Sequence, residues 1–281
     1  FYADYVINKT DAYVGEPIYI YKKTYSKYGM DDISQPKGGE VLGSVQVKNI
    51  GKEGIVKTSR ETIQGNTYIT ASFDGQVLFP MKAGNVQLGS YSSSISFGGF
   101  FGDQAQVKAL PRTIKILPLP GDAPEDFTGG VGSFKLSSKV NKEKVEIGDV
   151  VQLDVKIKGS GNLQLIGEPK LELSEYFEMY GDPIVEDTLE TDFEGMNGEV
   201  KYTYLLRAKS GGKTKIPEVH FSYFDLKTKT YKRIATDAIN IEVKGEDKVA
   251  LKNNLKEPII VSEKENLELE GQMVDFSKSR N

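Results

Sequence analysis

Apolar and polar residues alternate over short stretches along most of the chain. Between residues 200 and 206 one Val, two Tyr and one Leu fall on one face of an extended strand, and between 239 and 243 Ile and Val alternate with Asn and Glu. A period of two residues is typical of a strand with one buried face. Helical periodicity is hard to find before the C-terminal tail, and turn residues separate the strand-like runs. The pattern therefore predicts an all-β protein built from antiparallel strands.

The strand pattern occurs twice along the chain. Three pairs of matching positions recur in the same order, and they are Gly15 with Gly148, Gly84 with Gly212, and Ile114 with Ile239. The glycines of the first two pairs lie in predicted turns, where a glycine adopts positive φ at little cost. The sequence therefore predicts two copies of one β unit.

Each unit has about the size of an immunoglobulin-like sandwich of roughly seven strands, so we expect two tandem immunoglobulin-like β-sandwich domains joined by a Pro-rich linker. Three prolines between residues 117 and 124 favour an extended spacer, since proline fixes φ. The predicted division is a first sandwich at 1–117, a linker at 118–128, a second sandwich at 129–245, and a charged tail or the start of a further element at 246–281. The chain has no Cys and no Trp, so the disulfide and tryptophan of antibody domains are missing.

Composition excludes several classes of function. Lys and Arg number 36 against 40 Asp and Glu, giving a net charge of -4 and no basic footprint for nucleic acid. Without cysteine there is no thiolate nucleophile and no Cys-ligated metal site. The apolar runs are far shorter than the roughly 20 residues of a membrane-spanning helix. The start of the sequence lacks an initiator Met and a signal-like segment, so we expect the interior of a longer protein whose export signal and anchor lie elsewhere.

Candidate chemistry is sparse. His220 is the only histidine, and Ser222 and Glu218 would share its strand face, but a flat strand lacks the elbow and oxyanion hole that acyl transfer needs. A surface or hydrogen-bonded histidine is the favoured interpretation. The acidic residues Asp182, Glu186, Asp187, Glu190, Asp192 and Glu194 could supply oxygen ligands to calcium, yet no EF-hand pattern is present and a solvated hairpin is favoured. We therefore predict no catalytic residue, no metal site and no cofactor.

The most distinctive local feature is the segment ISFGGFFGD at residues 95–103, which places two large apolar side chains in a glycine-rich loop between strands. Exposed aromatic residues at a loop tip favour contact with a partner. The alternative is that Phe100 and Phe101 fold back and close the end of the sandwich. We take Phe97, Phe100 and Phe101 as a candidate partner-contact loop.

Four segments of the chain carry a resemblance to a known family, and they are residues 117–134 (LPLPGDAPEDFTGGVGSF), 159–163 (GSGNL), 207–217 (RAKSGGKTKIP) and 221–225 (FSYFD). Together they resemble the BatD (Bacteroides aerotolerance, oxygen-tolerance) family. The resemblance covers roughly residues 1–245 and is strongest from 110 onwards. The resemblance implies immunoglobulin-like modules on the periplasmic face of the bacterial inner membrane, with a membrane anchor in the full-length protein.

The same resemblance implies a function. BatD proteins are encoded beside BatA and BatB, which are membrane proteins with von Willebrand A domains, and a role in oxidative stress tolerance is inferred for the family. We therefore expect a non-enzymatic cell-envelope scaffold or protein–protein interaction module with protein partners, among them BatA-like or BatB-like proteins. The alternative is a carbohydrate-binding β-sandwich protein, since 15 tyrosines are available to stack on sugar rings, although the absence of Trp counts against it.

Overall fold

A computed structural model describes residues 1–51, 54–192 and 195–245 of the chain. The described residues form 23 strands and two short 3₁₀ turns, at Gly99–Phe101 and Leu163–Leu165. The prediction of an all-β protein is confirmed. The predicted charged tail at 246–281 lies outside the described residues.

The strands of the first half are β1 Tyr2–Ile7, β2 Asp11–Tyr13, β3 Ile18–Ser26, β4 Asp32–Ile33, β5 Lys37–Gly38, β6 Val41–Leu42, β7 Val45–Ile50, β8 Lys57–Ile63, β9 Asn66–Pro80, β10 Gly84–Leu88, β11 Tyr91–Phe97, β12 Asp103–Ala109 and β13 Arg112–Leu117. Those of the second half are β14 Phe127–Val140, β15 Lys144–Glu146, β16 Val150–Gly161, β17 Phe177–Met179, β18 Ile184–Thr191, β19 Met196–Ala208, β20 Gly212–Ile216, β21 His220–Asp225, β22 Thr230–Ala235 and β23 Ile239–Lys244.

Strands of the first half form three sheets around one core. The largest has the order β1-β3-β9-β7, and β8 pairs with the earlier part of β9. A second sheet has the order β2-β13-β10-β6, and a third joins β12, β11, β4 and β5. Alternate side chains from the sheets, such as Ile18, Leu78, Leu88 and Ile114, are fully buried in one cluster. This half is therefore a sandwich, with its apolar core between the largest sheet and the other two.

The second half repeats the arrangement with two sheets. Seven strands form the larger sheet, with the order β17-β19-β16-β14-β21-β22 and β18 also paired with β19, while β15, β23 and β20 form the smaller one. Val151, Leu153 and Ile157 of the larger sheet pack with Ile241 and Val243 of the smaller sheet in a second core. Two tandem immunoglobulin-like sandwiches are present, as the strand pattern predicted.

Corresponding strands of the two halves pair in the same way. A short strand runs parallel to the last strand of each sandwich, β2 beside β13 and β15 beside β23. The matched glycines adopt matched conformations, with φ of 78° and 94° for Gly15 and Gly148, and 137° and 134° for Gly84 and Gly212. The internal repeat is confirmed down to the backbone angles of its turns.

The two sandwiches share apolar packing in addition to the chain that joins them. Strand β3 directs Ile18 and Ile20 into the first core, whereas the intervening Tyr19 belongs to the second core. Tyr19 lies opposite Val77 of β9, which together with Phe79 also belongs to the second core. Residues 1–245 accordingly form one compact unit. The prediction of a spacer at 117–124 did not foresee this contact, and the limits of the domains stay a prediction.

Among the described residues, no helix has the length and apolar character needed to cross a membrane.

Candidate interaction site: the aromatic tip

The candidate loop is the tip of the hairpin formed by β11 and β12. The two strands pair along their whole length, from Tyr91 opposite Ala109 to Phe97 opposite Asp103. Between them the chain makes a single 3₁₀ turn at Gly99–Phe101. The predicted glycine-rich loop is thus a short turn at the end of a fully paired hairpin.

Backbone contacts hold this turn in one conformation. The N–H of Gly99 donates to the Asp31 carboxylate at 2.8 Å, and the N–H of Asp31 donates to the Ser96 carbonyl at 2.8 Å. A Cβ added at Gly102 would lie 2.1 Å from the carbonyl oxygen of Phe97, so only glycine fits there. Gly98 and Gly99 have φ of 91° and 71°, a region that glycine adopts readily. The glycines are therefore required by the shape of the turn.

Aromatic side chains gather at this end of the first sandwich. The ring of Phe97 lies 4.6 Å from that of Phe1 and 6.5 Å from that of Tyr28. Phe101 is 94% exposed and Tyr28 is 69% exposed. We name Phe1, Tyr28, Phe97 and Phe101 the aromatic tip. The side chain of Phe100 lies outside the described part of the structure.

The alternative in which Phe100 and Phe101 fold back is compared with the structure at Phe101, since the side chain of Phe100 is not described. Phe97 is half-buried against Phe1 and helps to cover the end of the sandwich. Phe101 instead projects into solvent, so it does not fold back as the closing alternative requires. Sequence alone could not separate these roles, because both residues are apolar and both flank glycines.

A second group of rings continues from the tip along the largest sheet of the first sandwich. Tyr2 and Tyr25 stack at 4.3 Å across β1 and β3, and Tyr68 of β9 meets both rings edge-on. Lys27 lies 5.3 Å from the Tyr68 ring. Burial raises the pKa of Tyr25 to about 12, so its hydroxyl stays neutral at physiological pH. Most of this ring surface is used in contacts between the tyrosines themselves.

His220 lies in a polar pocket of about 280 Å³ in the second sandwich. Its Nε2 is 3.8 Å from a carboxylate oxygen of Glu218. The buried Ser222 hydroxyl donates to Asp126 at 2.8 Å, and Arg233 donates to the other oxygen of Asp126 at 2.8 Å. Burial opposes ionisation of Asp126, but the hydrogen bonds from Ser222 and the charge of Arg233 prevail and lower its pKa. The Ser222 hydroxyl therefore donates its hydrogen bond to Asp126. Among the described residues, no hydrogen bond joins Ser222 to His220.

The acidic segment forms the predicted hairpin. Strand β18 pairs with β19 from Ile184 opposite Thr203 to Thr191 opposite Met196. Glu186 forms an ion pair with Lys201 at 2.5 Å. Among the described residues, no three acidic or histidine side chains converge on a point where they could hold a metal ion. Glu194 lies outside the described residues.

A model of a known protein family matches much of the second sandwich. The family model described as "BatD DUF11 like domain" matches residues 138–243.

Residues 138–243 are similar to the BatD family.

The matched segment begins near the end of β14 and extends into the last strand of the second sandwich. It contains three of the four segments that carry the resemblance, at 159–163, 207–217 and 221–225, and residues 117–134 precede it. The matched segment therefore comprises most of the second sandwich. No curated protein matches the chain.

Solved structures similar to the chain include three proteins. The type II cohesin dyad from the adaptor ScaA scaffoldin of Acetivibrio cellulolyticus is 10% identical, with coverage of 87% of this chain and 98% of that chain and a TM-score of 0.23. The D0-D1 domain of intimin is 15% identical, with coverage of 85% and 97% and a TM-score of 0.17. The Yersinia pseudotuberculosis adhesin InvE is 11% identical, with coverage of 86% and 58% and a TM-score of 0.22. Likeness at this level carries no argument about function.

The matched segment also contributes to a contact between the two sandwiches, which the sequence did not predict. Asn162, in the 159–163 motif, is buried; its side chain accepts from the N–H of Val131 at 2.7 Å and donates to the carbonyl of Gly129 at 2.9 Å. A Cβ on Gly15 of the first sandwich would lie 3.0 Å from Val131 and 3.1 Å from Asn162. Two of the motifs that resemble BatD thus meet at the contact between the sandwiches. The sequence signal for this contact is the continuous apolar run at residues 77–79, since such runs indicate a strand buried on both faces.

Proposed function

We propose that this protein is a non-enzymatic scaffold of the bacterial cell envelope, which binds partner proteins through the aromatic tip. The observation that carries the proposal is Phe101, a large apolar side chain that is 94% exposed on a turn fixed by backbone contacts. An aromatic side chain in such a position gains free energy when a partner covers it.

A rigid turn makes this contact efficient. Binding costs conformational entropy whenever a flexible loop must be ordered. The hydrogen bond from Gly99 to Asp31 and the close approach of Gly102 to Phe97 already order the tip. Phe1 and Phe97 lie against the exposed ring of Tyr28, so that a partner meets a preformed apolar surface.

The BatD family suggests the identity of the partners and the location. On this basis the partners are membrane proteins with von Willebrand A domains of the BatA and BatB type, at the periplasmic face of the inner membrane. The assembly would then contribute to tolerance of oxidative stress. The exposed Phe101 and Tyr28 of the aromatic tip support the part of this proposal that concerns protein contact.

Binding to purified von Willebrand A domains of the BatA and BatB type tests the proposal. Phe101→Ala and Tyr28→Ala should each weaken binding by about tenfold, the loss expected of a partly buried aromatic anchor. Leu110→Ala is the matched control, because Leu110 is as exposed as Tyr28 at 69% and lies at the opposite end of the hairpin. Equal binding by all three variants and the unaltered protein would remove the tip from the interface.

The tyrosine group next to the tip favours carbohydrate binding as a second candidate. Tyr2 is 38% exposed and lies against Tyr25 and Tyr68, so one ring face of the group is available to a sugar. Retardation of the protein in gels that contain a polysaccharide, abolished by Tyr2→Ala but not by Phe101→Ala, would support this candidate over the first.

A further inference from the structure

Strand β18 lies at one edge of the seven-stranded sheet in the second sandwich. Strands β17 and β18 follow one another along the same side of β19, and the segment between them contains Gly181, Asp182 and Pro183. Among the described residues, no strand pairs with the outer side of β18. Every second residue of an edge strand directs its N–H and C=O away from the sheet. The outer side of β18 therefore presents backbone groups that another strand could pair with.

Apolar side chains are exposed at the start of this edge. Ile184 and Val185 are 55% and 56% exposed, although successive residues of a strand point to opposite faces. Val185 lies opposite the buried Tyr202 of β19. The apolar surface of the sheet thus continues from the core to the edge and remains uncovered there. Met179 and Tyr180, which precede the segment at 181–183, are 39% and 55% exposed.

Acidic side chains follow the apolar pair. Glu186, Asp187 and Glu190 all lie on β18, and all three are exposed. Of these, Glu186 is paired with Lys201 of the neighbouring strand. No described cation forms an ion pair with Asp187 or Glu190 within 4.0 Å. The edge therefore carries negative charge that a basic partner would complement.

The first sandwich offers an internal comparison. Strand β8 pairs with β9 as β18 pairs with β19, and it also lies at a sheet edge. Its exposed residues are polar or charged, among them Thr58, Ser59 and Arg60. Charged side chains of this kind are a common protection of edge strands. The apolar start of β18 is therefore not a general property of this position in the repeat.

We propose that β18 receives an extended segment of a partner protein, in which two adjacent apolar residues are joined to a run of lysine or arginine. The added strand would pair with the backbone of β18 and place one apolar side chain on each face, beside Ile184 and Val185. Its cations would lie beside Asp187 and Glu190, which are also on opposite faces. Addition of a strand to an exposed sheet edge is an established way to bind an extended peptide. This surface is separate from the aromatic tip, so it adds a second binding site to the proposed scaffold.

A labelled eight-residue peptide of two adjacent valines followed by six lysines is the probe. We expect saturable binding to the full chain, with amide shifts in NMR spectra confined to β18 and the adjacent part of β19. A peptide of the same sequence, N-methylated at every second residue on its pairing edge, should bind at least about tenfold more weakly, since it keeps the charge but cannot form the backbone hydrogen bonds.

Variants locate the site and separate its two contributions. Val185→Lys should weaken binding of the probe by about tenfold, and Asp187→Asn with Glu190→Gln should weaken it and reduce its dependence on salt. The Asn and Gln substitutions preserve shape, so they remain informative if the lysine variant folds poorly. Ser59→Lys on β8 is the matched control and should leave binding unchanged.

Three results would overturn the proposal. The first is equal binding of the N-methylated and unmodified peptides, which would reduce the interaction to charge attraction. The second is displacement of amide signals on β8 instead of β18. The third is concentration-dependent dimerisation of the protein that Val185→Lys abolishes, which would assign the edge to a second copy of the chain.

Discussion

Asn162 shows how one buried polar side chain can position a strand. Its side-chain oxygen accepts from the N–H of Val131, and its side-chain nitrogen donates to the carbonyl of Gly129. Its own backbone N–H also donates to the Val131 carbonyl at 3.1 Å. Since a buried polar group without a partner is costly, the start of β14 has one favourable position against the end of β16.

Replacement of this amide should destabilise the protein. In Asn162→Ala the N–H of Val131 and the carbonyl of Gly129 lose their partners, so we expect a loss of about 3 kcal/mol in the free energy of unfolding. Urea denaturation of the full chain measures it. Asn240→Ala, at an exposed position of β23, serves as the control and should change stability by less than about 0.5 kcal/mol. A similar small change in Asn162→Ala would show that water satisfies the exposed groups.

Asp225 gives the fold a specific sensitivity to acid. Its carboxylate accepts from Lys232 at 2.7 Å and from the N–H groups of Lys227 and Thr228 at 3.0 and 2.8 Å. The hydrogen bond from Lys232, followed by those from Thr228, outweighs burial and lowers the pKa of Asp225 from 3.8 to about 2. The charged form is therefore favoured more strongly in the folded than in the unfolded chain.

Because the pKa of Asp225 is lower in the folded chain, Asp225 contributes less stability as the pH falls. The stabilisation is fully present above about pH 4 and is lost as the pH falls towards 2, where the folded chain also takes up the proton. Asp225→Asn should be less stable than the unaltered protein at pH 7, and the difference should shrink between about pH 4 and pH 2. Denaturation curves across this range measure it, with the exposed Asp237→Asn as the control. A difference independent of pH would assign the effect to packing.

Among the elements, the repeated turns depend on glycine for their backbone angles. Gly84 and Gly212 begin corresponding strands with φ of 137° and 134°, which side chains of L residues rarely adopt. A Cβ at Gly84 would meet nothing within 4 Å, and one at Gly212 would make an ordinary contact of 3.5 Å with Tyr176. Backbone strain, and not collision, is therefore the reason for glycine at both turns.

Equivalent substitutions should have equivalent effects. Gly84→Ala and Gly212→Ala should each reduce the free energy of unfolding by about 1–3 kcal/mol, because both impose the same strain. Gly121→Ala is the control, since Gly121 has no positive φ and a Cβ added to it would meet no atom within 4 Å. Thermal denaturation of the three variants compares them. If only one of the two turn variants lost stability, the second turn would have to relax to another conformation.

Sequence reasoning succeeded where structure is set locally. The period of two residues and the paired glycines predicted the strands and the repeat, because both depend on short stretches of backbone. The exposure of Phe101 and the partial burial of Phe97 depend on where Phe1 and Asp31 lie in the folded chain, which no local pattern records. The edge position of β18 was likewise beyond reach, since strand order in a sheet is a property of the whole domain.

At the scale of the whole molecule, the contact between the sandwiches is the main departure from a simple string of domains. Tyr19, Val77 and Phe79 project from the first sandwich into the core of the second. Burial raises the pKa of Tyr19 to about 12. Residues 18–20 of β3 and 77–79 of β9 are therefore buried on both faces of their strands. Unfolding of either sandwich exposes apolar surface of the other.

Neighbouring residues of β9 allow this coupling to be tested. Phe79 belongs to the core of the second sandwich, whereas Leu78 belongs to that of the first, and neither has measurable exposure. Each change to alanine should cost about 3 kcal/mol. In scanning calorimetry of the full chain, we expect residues 1–245 to unfold in one transition in the unaltered protein and in Leu78→Ala, because the shared core is intact in both.

Phe79→Ala should behave differently from Leu78→Ala even at equal loss of stability. Removing this ring leaves a cavity where the two sandwiches meet, so the free energy that couples them falls while the interior of the first sandwich is unchanged. We expect its calorimetric transition to broaden or divide into two. If Phe79→Ala retained one sharp transition while Leu78→Ala divided, the coupling would arise from the chain between residues 117 and 127 and not from the apolar contact.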